Sequence, residues 1–292
     1  MQVKGQIIKG VGGLYTIKLD NKDIVKCKAR GKLRAQGDLY IGDIVEASVD
    51  KKGEGVIEKV FPRTSKMIRP YVSNIDGIII VLSPIPEPNF LLVDKLIIGA
   101  IAQHIMPIIC VNKPDLAGFT KLVEQVKHDY SSMAKILEID ALSGKGSEEL
   151  KALVKGKFYA LCGQSAVGKS TFVNKMIGKE VMEVGELSKN DKGKNTTRHI
   201  EIITLEDGTK IADTCGFEKL EMPVSDPNDL ASYFVDFDEF LPNCKFKMCR
   251  HVDEEVCGVK AAVNAGLLSK DRYDRYLQIY KDSLKRWNKR YD

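Results

Sequence analysis

Gly163, Gln164, Ser165, Ala166, Val167, Gly168, Lys169 and Ser170 form an unbroken run, followed by Thr171, whose residue types suit phosphate chemistry. Its glycines let backbone N–H groups turn inward around phosphate oxygens at the start of a helix. Lys169 then reaches the β and γ phosphates, and the Ser170 hydroxyl binds Mg2+. The run follows the strand-like Phe158 to Cys162 and precedes an apolar helical stretch, the setting that a phosphate-binding loop requires.

Such a loop specifies a nucleotide but not its base. Asn112-Lys113-Pro114-Asp115 follows directly on a strand-like run ending at Val111. A carboxylate at Asp115 can accept both the N1–H and the N2 amine of guanine, and adenine has neither donor, so the pattern selects GTP over ATP. Asn112 steadies the loop and reaches N7, and the Lys113 stem covers one ring face. Ser143-Gly144-Lys145, after the strand-like Lys135 to Ile139, fits a companion loop that offers a backbone N–H to guanine O6. Asp213-Thr214-Cys215-Gly216 supplies a Mg2+-linked carboxylate and a glycine whose N–H can sense the γ-phosphate. Four elements at the ends of four expected strands match the carboxyl edge of an open α/β sheet, where such sheets bind ligands.

Their order is unusual, because the guanine-reading loops precede the phosphate loop and Asp213. The nucleotide domain therefore reads as circularly permuted, a rearrangement that leaves three-dimensional proximity intact. One expected consequence is that Asp213 to Phe217 leads directly into the C-terminal region and relays nucleotide state there.

That region holds Cys244, Cys249, His251 and Cys257, three thiols and one imidazole within fourteen residues. The set suits a closed tetrahedral Cys3His zinc site with a structural role. Seven cysteines, an odd number, without a secretory signal favour metal binding over a disulfide framework.

The elements that position these groups follow from pattern. Short apolar runs from Val3 to Val60, separated by turn signals such as Gly12-Gly13 and Gly42-Asp43, predict a small β-barrel. Within it Lys26, Lys28, Arg30, Lys32 and Arg34 occupy alternate positions, which on an extended segment gives a basic ribbon suited to RNA. A charged solvent face or edge guard accounts for the stripe equally well. After the linker Phe61 to Pro70, β-branched runs alternate with amphipathic stretches, predicting a doubly wound, largely parallel α/β sheet. A helix is expected from Phe90 to about His104. A second linker lies near Glu221 to Asp229, and a terminal helix capped by Ser269 packs Tyr273, Tyr276, Leu277, Tyr280 and Leu284. Three domains result: 1–66, an all-β RNA-binding barrel; 70–221, a permuted α/β GTPase; and 226–292, a mainly α zinc-binding unit ending in a basic helix.

With 43% hydrophobic and 29% charged residues, the composition excludes disorder and fibrous classes. No apolar run is long enough to cross a bilayer, so the expected location is the cytoplasm, without a membrane partner. Residues 1 to 66 carry 14 Lys/Arg against 8 Asp/Glu and residues 244 to 292 carry 12 against 7. Those surpluses of 6 and 5, within a chain total of +5, leave the centre at −6. Basic flanks suit a polyanion such as nucleic acid.

A barrel, a permuted GTPase order and Cys244-x4-Cys249-x-His251-x5-Cys257 together resemble the ribosome small-subunit-dependent GTPases, the RsgA or YjeQ family. Asn74-Ile-Asp-Gly77, Val111-Asn-Lys-Pro-Asp-Leu116 and Arg272-Tyr-Asp-Arg-Tyr-Leu277 add to the likeness, which covers nearly the whole chain. The resemblance implies an OB-fold barrel, a zinc domain, and a role in late maturation of the bacterial small (30S) ribosomal subunit. It further implies contact with that subunit and its rRNA, and stimulation by it of GTP hydrolysis to GDP and phosphate. Nothing in the sequence asks for a dimer, so a monomer is expected.

The segment Glu183 to His199 reads as a switch loop, with Thr196 or Thr197 reaching Mg2+ beside Ser170 and Asp213. Phe217 stands where Ras-like proteins carry a water-orienting glutamine, and a phenyl ring cannot orient water, so slow intrinsic turnover is expected. The family's catalytic histidine falls at Asn195, which can orient water but cannot act as a base; His199 is the other candidate. A non-catalytic, GTP-responsive rRNA-binding assembly factor is the alternative function.

Overall fold

The computed structural model describes residues 1–31, 33, 38–50, 53–68, 70–178, 200–214 and 226–289. Five strands come first: β1 (Gln2–Val11), β2 (Leu14–Leu19), β3 (Ile24–Ala29), β4 (Ile44–Val49) and β5 (Glu54–Val60). Antiparallel pairings β1–β2, β2–β3, β4–β5 and β1–β4, with a parallel β3–β5 pair, close them into a barrel of OB-like topology. Ile7, Ile17, Cys27, Val45 and Ile57 fill its interior, each fully buried and each flanked by more exposed residues in the period-two pattern of a one-sided strand.

The basic stripe does not run as one ribbon. Lys26 and Lys28 lie exposed on β3, but the strand ends at Ala29, Gly31 and Leu33 are helical, and the Arg30 guanidinium pairs with Glu58. The alternation that an extended segment would give is thus broken after Lys28. Lys32 and Arg34 lie outside the described residues.

After the short hairpin β6 (Lys66–Met67) and β7 (Val72–Ser73) comes the second unit. Its strands are β8 (Gly77–Leu82), β9 (Met106–Val111), β10 (Lys135–Glu138), β11 (Phe158–Cys162), β12 (Glu201–Thr204) and β13 (Lys210–Asp213). Its helices are α1 (Phe90–Ile101), α2 (Phe119–Tyr130), α3 (Ser147–Val154) and α4 (Lys169–Ile177). β10, β9, β8, β11 and β13 are parallel in that order, and β12 runs antiparallel at the edge. Every residue of β8 and β11 is buried, as expected of strands covered by helices on both faces. β12 also pairs with β1 at Lys9↔Glu201, where the two side chains form an ion pair, so one sheet of eleven strands joins barrel and parallel core.

The C-terminal region contains two 3-10 segments, Pro227–Tyr233 and Val235–Asn243, then α5 (Gly258–Asn264) and α6 (Lys270–Asn288). Ser269 caps α6, its hydroxyl accepting from Arg272 N–H at 3.3 Å. Tyr276, Ile279 and Tyr280 are the buried face of α6, against Phe234 and Phe237, whereas Leu284 is more exposed than the aromatic stripe implied. α6 is also fixed by charge. Arg272 pairs with Asp94 of α1 and Asp236, and Arg275 with Asp94 and Asp129, while the Tyr130 hydroxyl donates to Asp94 at 2.6 Å.

Candidate functional site: a phosphate loop, a guanine-reading edge and a thiol cluster

The loops after β8, β9, β10, β11 and β13 all leave the sheet at its carboxyl end, and the candidate nucleotide residues lie there. Gly163 (φ +137°) and Gly168 (φ +93°) open and close the phosphate loop. A Cβ at Gly163 would stand 2.5 Å from the Val81 carbonyl oxygen, and one at Gly168 2.3 Å from Asn112 Nδ2, so neither position admits a side chain. Lys169 opens α4, its ammonium donating to the Gly163 and Gln164 carbonyls at 3.0 and 2.6 Å. Ser170 and Thr171 follow in the first turn of α4.

Asn112 ties three loops together. Its Nδ2 donates to Val167 O at 2.8 Å in the phosphate loop, and its Oδ1 accepts from Ala141 N–H at 3.0 Å. Lys113, at φ +67°, sends its ammonium to Ile85 O (2.8 Å) and Ala166 O (2.7 Å). Asp115 is exposed at the rim.

In the companion loop, Ser143, Gly144 and Lys145 form the turn between β10 and α3. Gly144 N–H donates to Asp140 O at 2.8 Å and Lys145 N–H to Ser143 Oγ at 3.3 Å, so both are used inside their own turn. The N–H brought to the Asn112 junction is that of Ala141. Asp140 organises the turn by accepting from Leu142 N–H at 2.9 Å; the Ser143 hydroxyl, foremost, and this N–H hold its carboxyl below the usual range. An aspartate two residues past the end of β10 was the available sequence signal.

Asp213 ends β13 opposite Leu161 of β11, directly before the phosphate loop, and the Thr214 hydroxyl donates to Leu161 O. Burial raises the Asp213 carboxyl above its ordinary value and Lys169 pulls it back, the opposition expected of an acid poised beside a phosphate cradle. Cys162, at the end of β11, is a fully buried thiol pushed up to about 12 by desolvation, so it stays protonated. Asn195, Thr196, Thr197, His199 and Gly216, together with Cys215 and Phe217, lie outside the described residues.

Ala166 holds φ +61°, a left-handed conformation that a Cβ disfavours. Ala166→Gly is expected to stabilise the chain by about 0.5–1 kcal/mol, the relief being partly offset by glycine's greater freedom when unfolded. Equal or lower denaturant midpoint in the variant would contradict that.

In the C-terminal region the ligand atoms of Cys244, Cys249, His251 and Cys257 all lie within 4.8 Å of one another. His251 Nδ1 stands 3.2 Å from Cys257 Sγ and 3.7 Å from Cys244 Sγ. A tetrahedral zinc with Zn–S of about 2.3 Å sets sulfur–sulfur edges of about 3.8 Å, so contraction by about 1 Å closes the cluster. Gly258 N–H and Lys260 N–H point at the Cys244 and Cys257 sulfurs at 3.3 and 3.4 Å, as second-layer donors to thiolates do. Burial pushes Cys249 up to about 12, a thiol that ionises at neutral pH only against a cation. The donor set therefore fits a metal ion held through Nδ1.

A phosphate loop, a base-reading loop ahead of it in the chain, and a barrel sharing the same sheet define a circularly permuted GTP hydrolase. The sequence matches the profile described as RsgA GTPase over residues 60–223 and that described as RsgA N-terminal domain over residues 4–57. It is 38% identical over 299 residues to the small ribosomal subunit biogenesis GTPase RsgA of Clostridium botulinum (strain Loch Maree), covering 99% of this chain and 100% of that one. The protein of the same name from Alkaliphilus metalliredigens is also 38% identical, with 99% of each chain covered. Among solved structures, YjeQ from Thermotoga maritima aligns with TM-score 0.76 and 32% identity over 97% of this chain and 99% of that one. YloQ, described as a circularly permuted GTPase, aligns with TM-score 0.72 and 27% identity over 98% and 96%. The chain belongs to the RsgA family of GTPases.

Proposed function

We propose that this GTPase engages the small ribosomal subunit and assists its late maturation, hydrolysing GTP faster when the subunit is bound. The carrying observation is the full-length likeness to relatives named for small-subunit biogenesis, in a chain whose barrel, permuted nucleotide edge and thiol cluster are all present. The units are 1–66, 70–221 and 226–292. Asp115 reads guanine N1–H and N2, and the loop of Ser143, Gly144 and Lys145 offers a backbone N–H to O6. The N–H groups of residues 163 to 171 and the Lys169 ammonium hold the phosphates, while Ser170, Thr197 and Asp213 hold Mg2+. Asn195 or His199 orients water near Gly216, with Thr196 and Thr197 closing on the γ-phosphate. The chain acts as a cytoplasmic monomer; among the described residues no helix is long and apolar enough to cross a membrane.

Ribosomal RNA is the partner assigned to the barrel. Lys26 and Lys28 line an open groove of about 730 Å³ together with Leu14, Val49 and Val56 and with the acidic Asp50 and Glu54. Arg30, Lys32 and Arg34 complete the set of basic residues proposed to meet RNA. GTP turnover with and without purified small subunits, at two salt concentrations, tests the proposal: stimulation that weakens steeply with salt is expected, because phosphate contacts compete with counterions. Turnover unmoved by subunits would instead favour a non-catalytic, GTP-responsive assembly factor.

The metal is assigned as one structural zinc ion. Chelation is expected to unfold the C-terminal region, read by the single tryptophan, Trp287 of α6, while GTP still binds. Protein purified without added metal and carrying no zinc by mass spectrometry, yet giving a native Trp287 signal, would refute the assignment.

A further inference from the structure

The structure holds a second connection between the phosphate loop and the C-terminal region, through space rather than along the chain after Asp213. Both ends of the Gln164 amide are engaged by the segment that leads into α1. Its Oε1 accepts from Asn89 N–H at 2.9 Å, and its Nε2 donates to Glu87 O at 3.2 Å. Lys113 fastens the same segment from the other side, since its ammonium bridges Ile85 O and Ala166 O. Asn89 is the cap of α1, its side chain accepting from Leu92 N–H at 3.1 Å. The phosphate loop thus grips α1 at its N-terminal cap.

Asp94 lies five residues further on, about 7.5 Å along the helix axis, and is fully buried. It receives Arg272 and Arg275 of α6 together with the Tyr130 hydroxyl. α6 then holds the thiol cluster, because the Tyr273 hydroxyl donates to His251 O at 2.7 Å and the Tyr276 hydroxyl to Arg250 O. At the other end, the Lys169 ammonium donates to the Gln164 carbonyl. Phosphate oxygens drawn to Lys169 compete for that donor, so the residue whose backbone feels the nucleotide is also the one whose side chain grips α1.

We propose that Gln164 is a positioning residue that couples phosphate binding to the placement of α6 and the cluster, with α1 as the rigid link and Asp94 as its far joint. The proposal rests on GTP occupying the loop of residues 163 to 170. It assigns the Gln164 side chain to coupling and leaves its backbone N–H to the phosphates.

The test uses the full-length protein and Gln164→Met, which keeps side-chain length, removes both hydrogen bonds and leaves the backbone cradle intact. Hydrogen exchange of α6 amides is compared with saturating GDP and with a non-hydrolysable GTP analogue. The wild type is expected to show a difference of roughly threefold or more in exchange rate between the two nucleotides, and the variant to lose most of it. No difference in the wild type, or an undiminished one in Gln164→Met, overturns the proposal. Failure to bind either nucleotide would strike at the GTP-site reading itself and is therefore distinguishable.

A double-mutant cycle with Arg275→Gln adds a second measurement. The ratio of analogue affinity to GDP affinity is expected to depart from the product of the single effects by roughly threefold or more. Effects that multiply to within twofold would mean that the two ends act independently. Should Gln164→Met fail to fold, Gln164→Glu serves in both measurements, because it keeps the acceptor for Asn89 and sets a carboxylate against the Glu87 carbonyl. It too must reduce the exchange difference.

Discussion

Asp115→Asn is expected to weaken GTP binding about 10³-fold, roughly 4 kcal/mol, and to strengthen binding of xanthosine triphosphate. The carboxylate offers two acceptors to the guanine N1–H and N2 amine, each a charge-assisted hydrogen bond. An amide keeps one acceptor and turns a donor toward the amine, leaving two donors facing each other. Xanthine carries a carbonyl in place of that amine and can accept from the new amide. Nucleotide titration of the variant decides the matter: GTP binding within tenfold of the wild type would remove Asp115 from the base-reading role. Because Asn112 holds Val167 and Ala141 whatever stands at 115, the scaffold of the site should survive the exchange.

Arg272→Ala is expected to cost the C-terminal region about 3–5 kcal/mol, the usual effect of removing one partner from a buried ion pair. Its side chain is 3% exposed, between Asp94 at 0% and Asp236 at 10%, with the guanidinium 4.7 Å from the Phe234 ring centroid and 5.1 Å from that of Tyr130. Truncation leaves Asp94 with Arg275 as its only cationic partner among the described residues and deprives Asp236 of its pair, besides opening a cavity. Trp287 fluorescence during denaturant titration reads this loss. A midpoint equal to the wild type's would mean that the network contributes little net stability.

Much of the nucleotide edge was legible because its chemistry resides in contiguous residues. Gly163 to Ser170 and Asn112 to Asp115 each carry their own backbone requirement, and both fall where short, buried apolar strands end. The companion loop was less legible. Ser143-Gly144-Lys145 has the composition of a turn, but which N–H remains for a ligand depends on the hydrogen bonds that Asp140 makes first. Alternation of Lys26 to Arg34 suggested one extended segment, yet alternation of charge cannot say where a strand stops, and β3 stops at Ala29. Arg272 and Arg275 were read only within a motif and a charge count. Helical periodicity reports apolar burial, while their principal partner Asp94 lies 178 and 181 residues away in sequence.

The pairing of β1 with β12 has a bearing on solubility. β12 is the antiparallel strand at the edge of the nucleotide domain's sheet, and an uncovered edge would offer unpaired N–H and C=O groups to any passing chain. The barrel occupies that edge at Lys9 and Glu201 and, being closed on itself through β1 and β4, presents little open edge in exchange. By pairing there, β1 leaves that end of β12 unavailable to a second chain, so β1 carries a constraint from the nucleotide domain as well as from its own barrel.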